Sequence, residues 1–367
     1  MVDSIPETLF NLVKIFSPSG SEAAAVSYLV SRMQALHYTQ AFADAAGNAV
    51  GVMGNGPRQI VLLGHIDTVP GEIPVRVESI AAGSPNSFPR ILYGRGSVDA
   101  KGPLSAFVDA VADCGALPGW QIIVIGAVGE EQDSPGAQHI VTLYHPEAAI
   151  IGEPSGWERV TLGYKGSAWV MVAVRRSLAH TAGLGESACE AVVRAWETIG
   201  MMAAGINLDR EKNFERLQLS LRGMDSGGDG FEEWARLHMG ARLPLDLPPQ
   251  RWYENLTGDS QLSSIPGISI QPVGFPIPAW QGEKNNKLVR AFLAGIRATG
   301  GQPGFLLKTG TADLNIVAPA WGCPALAYGP GDSSLDHTPA EHLVLAEYHQ
   351  GVEVLKTVLR QLCRNDA

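Results

Sequence analysis

An apolar run that ends in glycine and then in a histidine or an acid recurs along this chain, and it restricts the fold more than any other feature. Ile60–Leu63 runs into Gly64 and His65, with Asp67 two residues on. Gln121–Val128 runs into Gly129, Glu130 and Glu131, and Ala148–Ile151 into Gly152 and Glu153. Short runs that are apolar on both faces read as strands of a parallel sheet covered by helices. In open α/β sheets, ligands bind where such strands open into loops. Polar residues at that place in three strands therefore meet at one sheet edge.

The remaining elements follow in chain order. Residues 5–37 read as helical around a break at Ser17–Gly20, with Ser21 and Glu22 opening the second helix. Asn48–Met53 reads as a short strand, and 72–90 as irregular with a hairpin around Ser84–Asn86. Asp99 stands among Gly94, Gly96 and Gly102, ahead of a helix marked by Leu104, Phe107, Val108 and Val111. Gly136–Leu143 supplies a crossover helix. Past Gly166 the pattern alternates in Ser167–Arg175, turns helical in Glu186–Met202 and alternates again in Phe214–Leu221 and Glu232–Leu243. A short helix at Pro248–Leu256 and a strand at Ile268–Phe275 complete the ferredoxin-like order β-α-β-β-α-β, with Gly223–Gly230 as an internal loop. The expectation is an α/β domain of residues 1–165 and 277–367, with a mixed, mostly parallel sheet flanked by helices, and an inserted α+β domain, 166–276. In the returning part, Lys287–Thr299 reads as a helix, Phe305–Lys308 as a strand and KTGTADLN as a loop. Ala325–Tyr328 reads as a strand opening into a glycine-rich loop with His337, and Leu343–Leu362 as the last helix.

Composition narrows the class. The chain of 367 residues is 45% hydrophobic and 17% charged, enough for two domains with a large core. Its net charge of −10 argues against nucleic acid as the main partner. No apolar run reaches the roughly 18 residues of a membrane span. The acidic start MVDSIPETLF does not read as a signal peptide. Cys114, Cys189, Cys323 and Cys363 lack paired spacing and read as reduced thiols of a cytoplasmic protein.

The chemistry lies in His65, Asp67, Asp99, Glu130, Glu131, Glu153 and His337, each just after a buried strand or in a glycine-rich loop. So many acids together raise one another's pKa unless a cation intervenes. Mixed imidazole and carboxylate donors suit zinc, and also cobalt or manganese. Two imidazoles and three carboxylates exceed what one catalytic zinc takes, and suit two metals sharing a bridging carboxylate. If one of Glu130 and Glu131 binds metal, the other is left to move protons. Asp67 is placed to hydrogen-bond the free nitrogen of His65.

HIDTVPG, GRGSVDAKG, AVGEEQDSPGA, IGEPSG and DHTPAEH, in this order, resemble the motifs of the M20 family of dinuclear zinc amidohydrolases. The family includes acetylornithine deacetylase, succinyl-diaminopimelate desuccinylase, aminoacylases and glutamate carboxypeptidases. The resemblance covers nearly the whole chain and implies a zinc-peptidase-like catalytic domain with an inserted lid and dimerisation domain. It implies two zinc ions, with His65 and Glu153 on one, Glu131 and His337 on the other, and Asp99 between them. It makes Glu130 the general base and later acid, has Asp67 orient His65, and implies a cis peptide at Asp99–Ala100. His180, in SLAHTAG, matches the family histidine that reaches into the partner subunit's site and donates to the oxyanion, although the local sequence departs from the commoner pattern.

The finer pattern of GRGSVDAKGPL, IIGEPSG, LGYKG and KTGTADLN is similar to hydrolases of amino-group carrier protein pathways in lysine and arginine biosynthesis. These release lysine or ornithine from the γ-carboxyl of the carrier's C-terminal glutamate. Such a substrate needs its carboxylate held, and Arg242 can grip it bidentately. Lys308, Thr309, Gly310 and Thr311 form a second anion-friendly loop. The carrier is acidic, and Arg175, Arg176, Arg210, Lys212, Arg216 and Arg222 are candidates for steering it. Rival readings within the class are an acetylornithine deacetylase or aminoacylase acting on a small acyl group, and a dipeptidase or carboxypeptidase.

Overall fold

The computed structural model describes residues 5–79, 89–178, 180 and 185–364. The chain divides into two compact units, Met1–Gly163 with Gly282–Leu307 and Ala312–Ala367, and Tyr164–Gln281 with Lys308–Thr311. The hairpin expected around Ser84–Asn86 lies outside the described residues.

At the centre of the first unit stand four parallel strands, in the order Trp120–Ala127, Arg58–His65, Ala148–Gly152 and Ala325–Ala327. Antiparallel strands flank them, with Ala49–Met53 on one side and Arg159–Tyr164 on the other. The central strands are apolar on both faces because both faces are covered. Leu62, Ile122, Val124 and Ile150 join a core with Leu29, Phe107, Phe292 and Leu355 from four helices.

Three glycines align across these strands, Gly126 opposite Gly64 and Gly64 opposite Gly152. The helix Lys101–Cys114 lies against this row. A Cβ on Gly64 would stand 3.1 Å from the Cβ of Leu104, and one on Gly152 would stand 2.9 Å from the Phe107 ring. Glycine is thus what lets the helix come down onto the sheet. That approach brings Asp99, just ahead of the helix, to the strand ends.

The second unit has the ferredoxin-like order. Its four-stranded antiparallel sheet runs Gln218–Gly228, Glu232–Leu243, Gly166–Ser177, Ile268–Ile277. The helices Ala188–Ile206 and Pro249–Gly258 share a core with it through Val192, Ile199, Leu237 and Trp252. Ser187 and Glu190 form a capping box at the start of the longer helix.

Three expectations need correction. The stretch Gly223–Gly230 is not an internal loop, because the strand continues to Gly228 after a bulge at Leu221/Gly223. Trp234 faces Gly227 across the hairpin, and a Cβ at Gly227 would fall 2.6 Å from the indole, so the ring fills the space a side chain would take. The segment 72–90 is not irregular throughout, since Arg76–Ser79 and Arg90–Tyr93 form a small sheet with His342–Val344. The end of KTGTADLN is helical: Leu314–Trp321 forms a helix with Pro319 inside it, a residue that ordinarily argues against one. Among the described residues no helix is long and apolar enough to cross a membrane.

Gly152→Ala should destabilise the first unit by about 1–3 kcal/mol through overpacking, measured by urea unfolding. Gly200→Ala meets nothing within 4 Å and should leave stability equal or higher.

Candidate metal centre

Three strand ends and two loops of the first unit supply the cluster. His65 is the last residue of its strand, and Glu153 directly follows Ala148–Gly152. Glu130 and Glu131 stand in a turn made by Gly129, whose φ of 74° is the left-handed region open to glycine. Asp99 precedes the helix Lys101–Cys114, and the Asp99–Ala100 peptide is cis. His337, in the loop after Ala325–Ala327, holds φ at 61°, a strained value for a residue with a Cβ.

Asp99 joins two histidines. Its Oδ1 is 3.1 Å from His65 Nε2 and its Oδ2 is 3.0 Å from His337 Nε2. His337 Nε2 is also 2.9 Å from Glu131 Oε1. Donor atoms of His65, Asp99 and Glu153 lie within 4.8 Å of one another, as do those of Asp99, Glu131 and His337, and of His65, Glu130 and Glu131. Ligands bound to a common zinc at about 2.0–2.2 Å stand roughly 3.3–3.6 Å apart. The His65–Asp99, Asp99–His337 and Glu131–His337 spacings of 3.1, 3.0 and 2.9 Å are a few tenths of an ångström tighter, so these residues fit a metal after a small outward shift.

Asp67 is fully buried and does more than face His65. The nearer partner of His65 Nδ1 is the Asp67 backbone carbonyl, at 3.0 Å, with the carboxylate at 3.4 Å. That carboxylate accepts the backbone N–H groups of Glu130 and Glu131, both at 3.1 Å, and the Ser19 hydroxyl at 2.6 Å. It therefore fixes the turn that presents both glutamates.

Two further sets of residues escaped the sequence reading. Glu341, fully buried, accepts the N–H groups of Val98 at 3.0 Å and Asp99 at 3.1 Å, and pairs with Arg95 at 2.8 Å. Arg95 also donates to the carbonyls of Gly71 at 2.9 Å and Thr338 at 3.2 Å. This one pair ties together the loops that carry His65, Asp99 and His337. Asp313 is buried beside Ser134, and its Oδ1 has no partner among the described residues. Both acids sit inside quoted motifs, DHTPAEH and KTGTADLN, but only the fold makes them neighbours of the cluster.

The electrostatics follow from crowding. Burial works to lower the His65 pKa, but hydrogen bonds to Asp67 and Asp99 outweigh it and raise it well above its usual value. Hydrogen bonds to Asp99 and Glu131 push His337 up to about 10. Against the cost of burial, His337 and His65 hold Asp99 below the usual carboxylate range. Burial raises Glu130 well above that range, with Glu153, Asp313 and Glu131 adding to the shift against the opposing charge of His65. Burial pushes Asp313 up to about 7.

The other predicted residues belong to the second unit. Arg242 donates to the Thr311 hydroxyl at 3.0 Å, so it meets the Lys308–Thr311 segment there. His180 is exposed. Of the basic residues, Arg175 pairs with Glu232, Arg176 with Glu186, Arg210 with Asp246 and Lys212 with Glu215.

The sequence profile described as peptidase family M20/M25/M40 matches residues 61–361. The chain belongs to this family. A Deinococcus radiodurans protein named "[LysW]-lysine hydrolase" is 42% identical, over 97% of this chain and 96% of that one. Two solved structures share the fold: a Staphylococcus aureus tripeptidase (TM-score 0.76, 20% identity, 96% of this chain and 97% of that one) and a Sulfolobus solfataricus M20 family metallo-carboxypeptidase (TM-score 0.75, 17% identity, 97% and 98%).

Both raised histidines must lose protons to bind metal as neutral imidazoles. Zinc uptake at pH 7 should therefore release about two protons per chain, and zinc affinity should rise with pH up to about 10, the value to which His337 is pushed. Calorimetry in buffers of different ionisation enthalpy reads the proton count, and zero release would contradict this account.

Proposed function

We propose that this M20 chain is a two-metal amide hydrolase of lysine or arginine biosynthesis, acting in the cytoplasm. It frees lysine or ornithine from the γ-glutamyl C-terminus of an acidic amino-group carrier protein. The observation that carries the reaction class is Asp99, whose two carboxylate oxygens face one histidine each at 3.1 and 3.0 Å. A carboxylate shared in this way suits two cations held about 3.5–4 Å apart. The substrate rests on the 42% identity to the D. radiodurans [LysW]-lysine hydrolase and on the motif resemblance.

In this reading His65 and Glu153 would hold one metal and Glu131 and His337 the other, with Asp99 available to both; zinc would be the native ion and cobalt or manganese substitutes. When bound, such a pair supplies a nucleophilic water near neutral pH and polarises the amide carbonyl. Glu130 takes the proton of the water and later delivers it to the leaving α-amine. Asp67 keeps Glu130 in register by holding its backbone N–H. His180 donates to the developing oxyanion, and Arg242 with Lys308, Thr309, Gly310 and Thr311 holds the carboxylate of the released amino acid. The bond between Arg242 and Thr311 supports treating these residues as one subsite. The inserted unit serves as the dimerisation surface, again on the family resemblance.

A second reading, removal of a small acyl group from an N-acyl amino acid, is favoured by one observation. Arg175, Arg176, Arg210 and Lys212 are already paired with acids, which weakens them as a docking patch for an acidic carrier.

An amine-release assay of the zinc-loaded enzyme separates the two. Carrier linked to lysine or to ornithine should be cleaved, and N-acetyl-ornithine should not; release from the acetyl compound alone would move the protein to the deacetylase branch. Glu130→Gln should lower kcat by about 10²–10⁴-fold with zinc content unchanged. Retained turnover would remove Glu130 as the proton carrier.

A further inference from the structure

Glu130 and Glu131 ride on a loop, 128–136, whose base is held by a side chain that the proposed reaction does not use. Asn48 is fully buried just ahead of the strand Ala49–Met53, and the neighbouring strand Trp120–Ala127 leads into that loop. Asn48 Oδ1 accepts the backbone N–H of Val128 at 3.0 Å, and its Nδ2 donates to the carbonyl of Gly136 at 3.2 Å. The N–H of Gly136 in turn donates to the Val128 carbonyl at 3.2 Å. One amide thus spans both legs of the loop and takes up backbone groups that the strand ladder leaves behind. A Cβ on Gly136 would fall 2.3 Å from Asn48 Oδ1, so glycine is what lets the second leg come this close.

The orientation of this amide is fixed. Its Nδ2 also donates to Asp44 Oδ2 at 2.8 Å, and Asp44 Oδ1 accepts the N–H groups of Ala46 and Asn48, both at 2.9 Å. A flipped amide would set its oxygen against the Asp44 carboxylate and its N–H groups against that of Val128. The loop needs such restraint. Ser134 holds φ at 51°, a strained value that persists only where the surroundings over-determine it. Inside the loop the Gly129 carbonyl accepts from Ser134 at 2.8 Å and from Gln132 at 3.2 Å. Asp67 grips the crest by the N–H groups of Glu130 and Glu131, and Asn48 grips the base, so the loop is anchored at both places.

We propose, building on the two-metal reading, that Asn48 is a positioning residue of the metal centre. Through the base of the loop it sets the place of Glu131 as a ligand and of Glu130 as the proton carrier. Its bearing on the centre is unequal. Of the ligands in that reading, Glu131 alone stands in the loop. Asn48 therefore acts on the cation that Glu131 and His337 would hold, and leaves the one that His65 and Glu153 would hold.

Calorimetric titration of the full, metal-free chain with zinc tests this, alongside urea unfolding and kcat and KM for amine release. In Asn48→Ala one of the two zinc-binding events should weaken by about 10-fold or more, and the other should stay within about 2-fold of the unaltered chain. kcat should fall by about 10-fold or more with KM little changed. Asn48→Asp combined with Asp44→Asn keeps a bond between the two side chains and an acceptor for the Val128 N–H, but leaves the Gly136 carbonyl without its donor. Stability should return toward that of the unaltered chain while the selective loss of zinc affinity remains. General loosening of the fold weakens both zinc events alike and cannot give that split. Both events unchanged, both weakened alike, or zinc affinity restored together with stability in the double variant would overturn the role of Asn48. An unaltered chain that takes up fewer than two zinc ions would instead overturn the two-metal reading, and this role with it.

Discussion

Mutual repulsion among acids is the constraint on which the first unit depends. Asp99, Glu130, Glu131 and Glu153 offer donor atoms to overlapping groups only a few ångströms wide, and Asp313 adds its field. Carboxylates packed this closely cannot all be ionised without compensating cations. The fold nevertheless forces them together, and the protons drawn onto His65 and His337 mark the positive charge the site calls for. The glycine row at Gly126, Gly64 and Gly152 is part of the same demand, because it lets the helix behind Asp99 settle onto the sheet.

The central sheet is electrically polar along its strands. Acids and histidines crowd the ends of the parallel strands, while Arg58 and the cations near it occupy their beginnings. The acidic edge carries buried carboxylates, Glu130 and Asp313, whose pKa values rise with burial.

Much of this was legible in the residues. Strands buried on both faces leave an uninterrupted apolar signal, as in Ile60–Leu63 and Gln121–Val128, and the polar residue after each glycine marks a strand end. The β-α-β-β-α-β order of the second unit was equally plain, because its alternating strands and amphipathic helices differ in period. What was hidden depends on distant partners. Gly223–Gly228 reads as a loop until Trp234 is seen to lie across Gly227. Leu314–Trp321 is masked by Pro319. Glu341 looks like one more acid in a polar loop, and its bonds to Val98 and Asp99 come from far away in the sequence. Asp67 was legible as a neighbour of His65, but its hold on the Glu130–Glu131 turn was not.

The latch of Arg95 and Glu341 bears on the order in which the protein is built. Arg95 leaves the ribosome 246 residues before Glu341, and His337 comes with the latter. Until that segment emerges, the Asp99 loop lacks the carboxylate that takes up its backbone N–H groups, and one of the two histidines is missing. The residues able to hold a metal are therefore assembled only once Glu341 and His337 have been made.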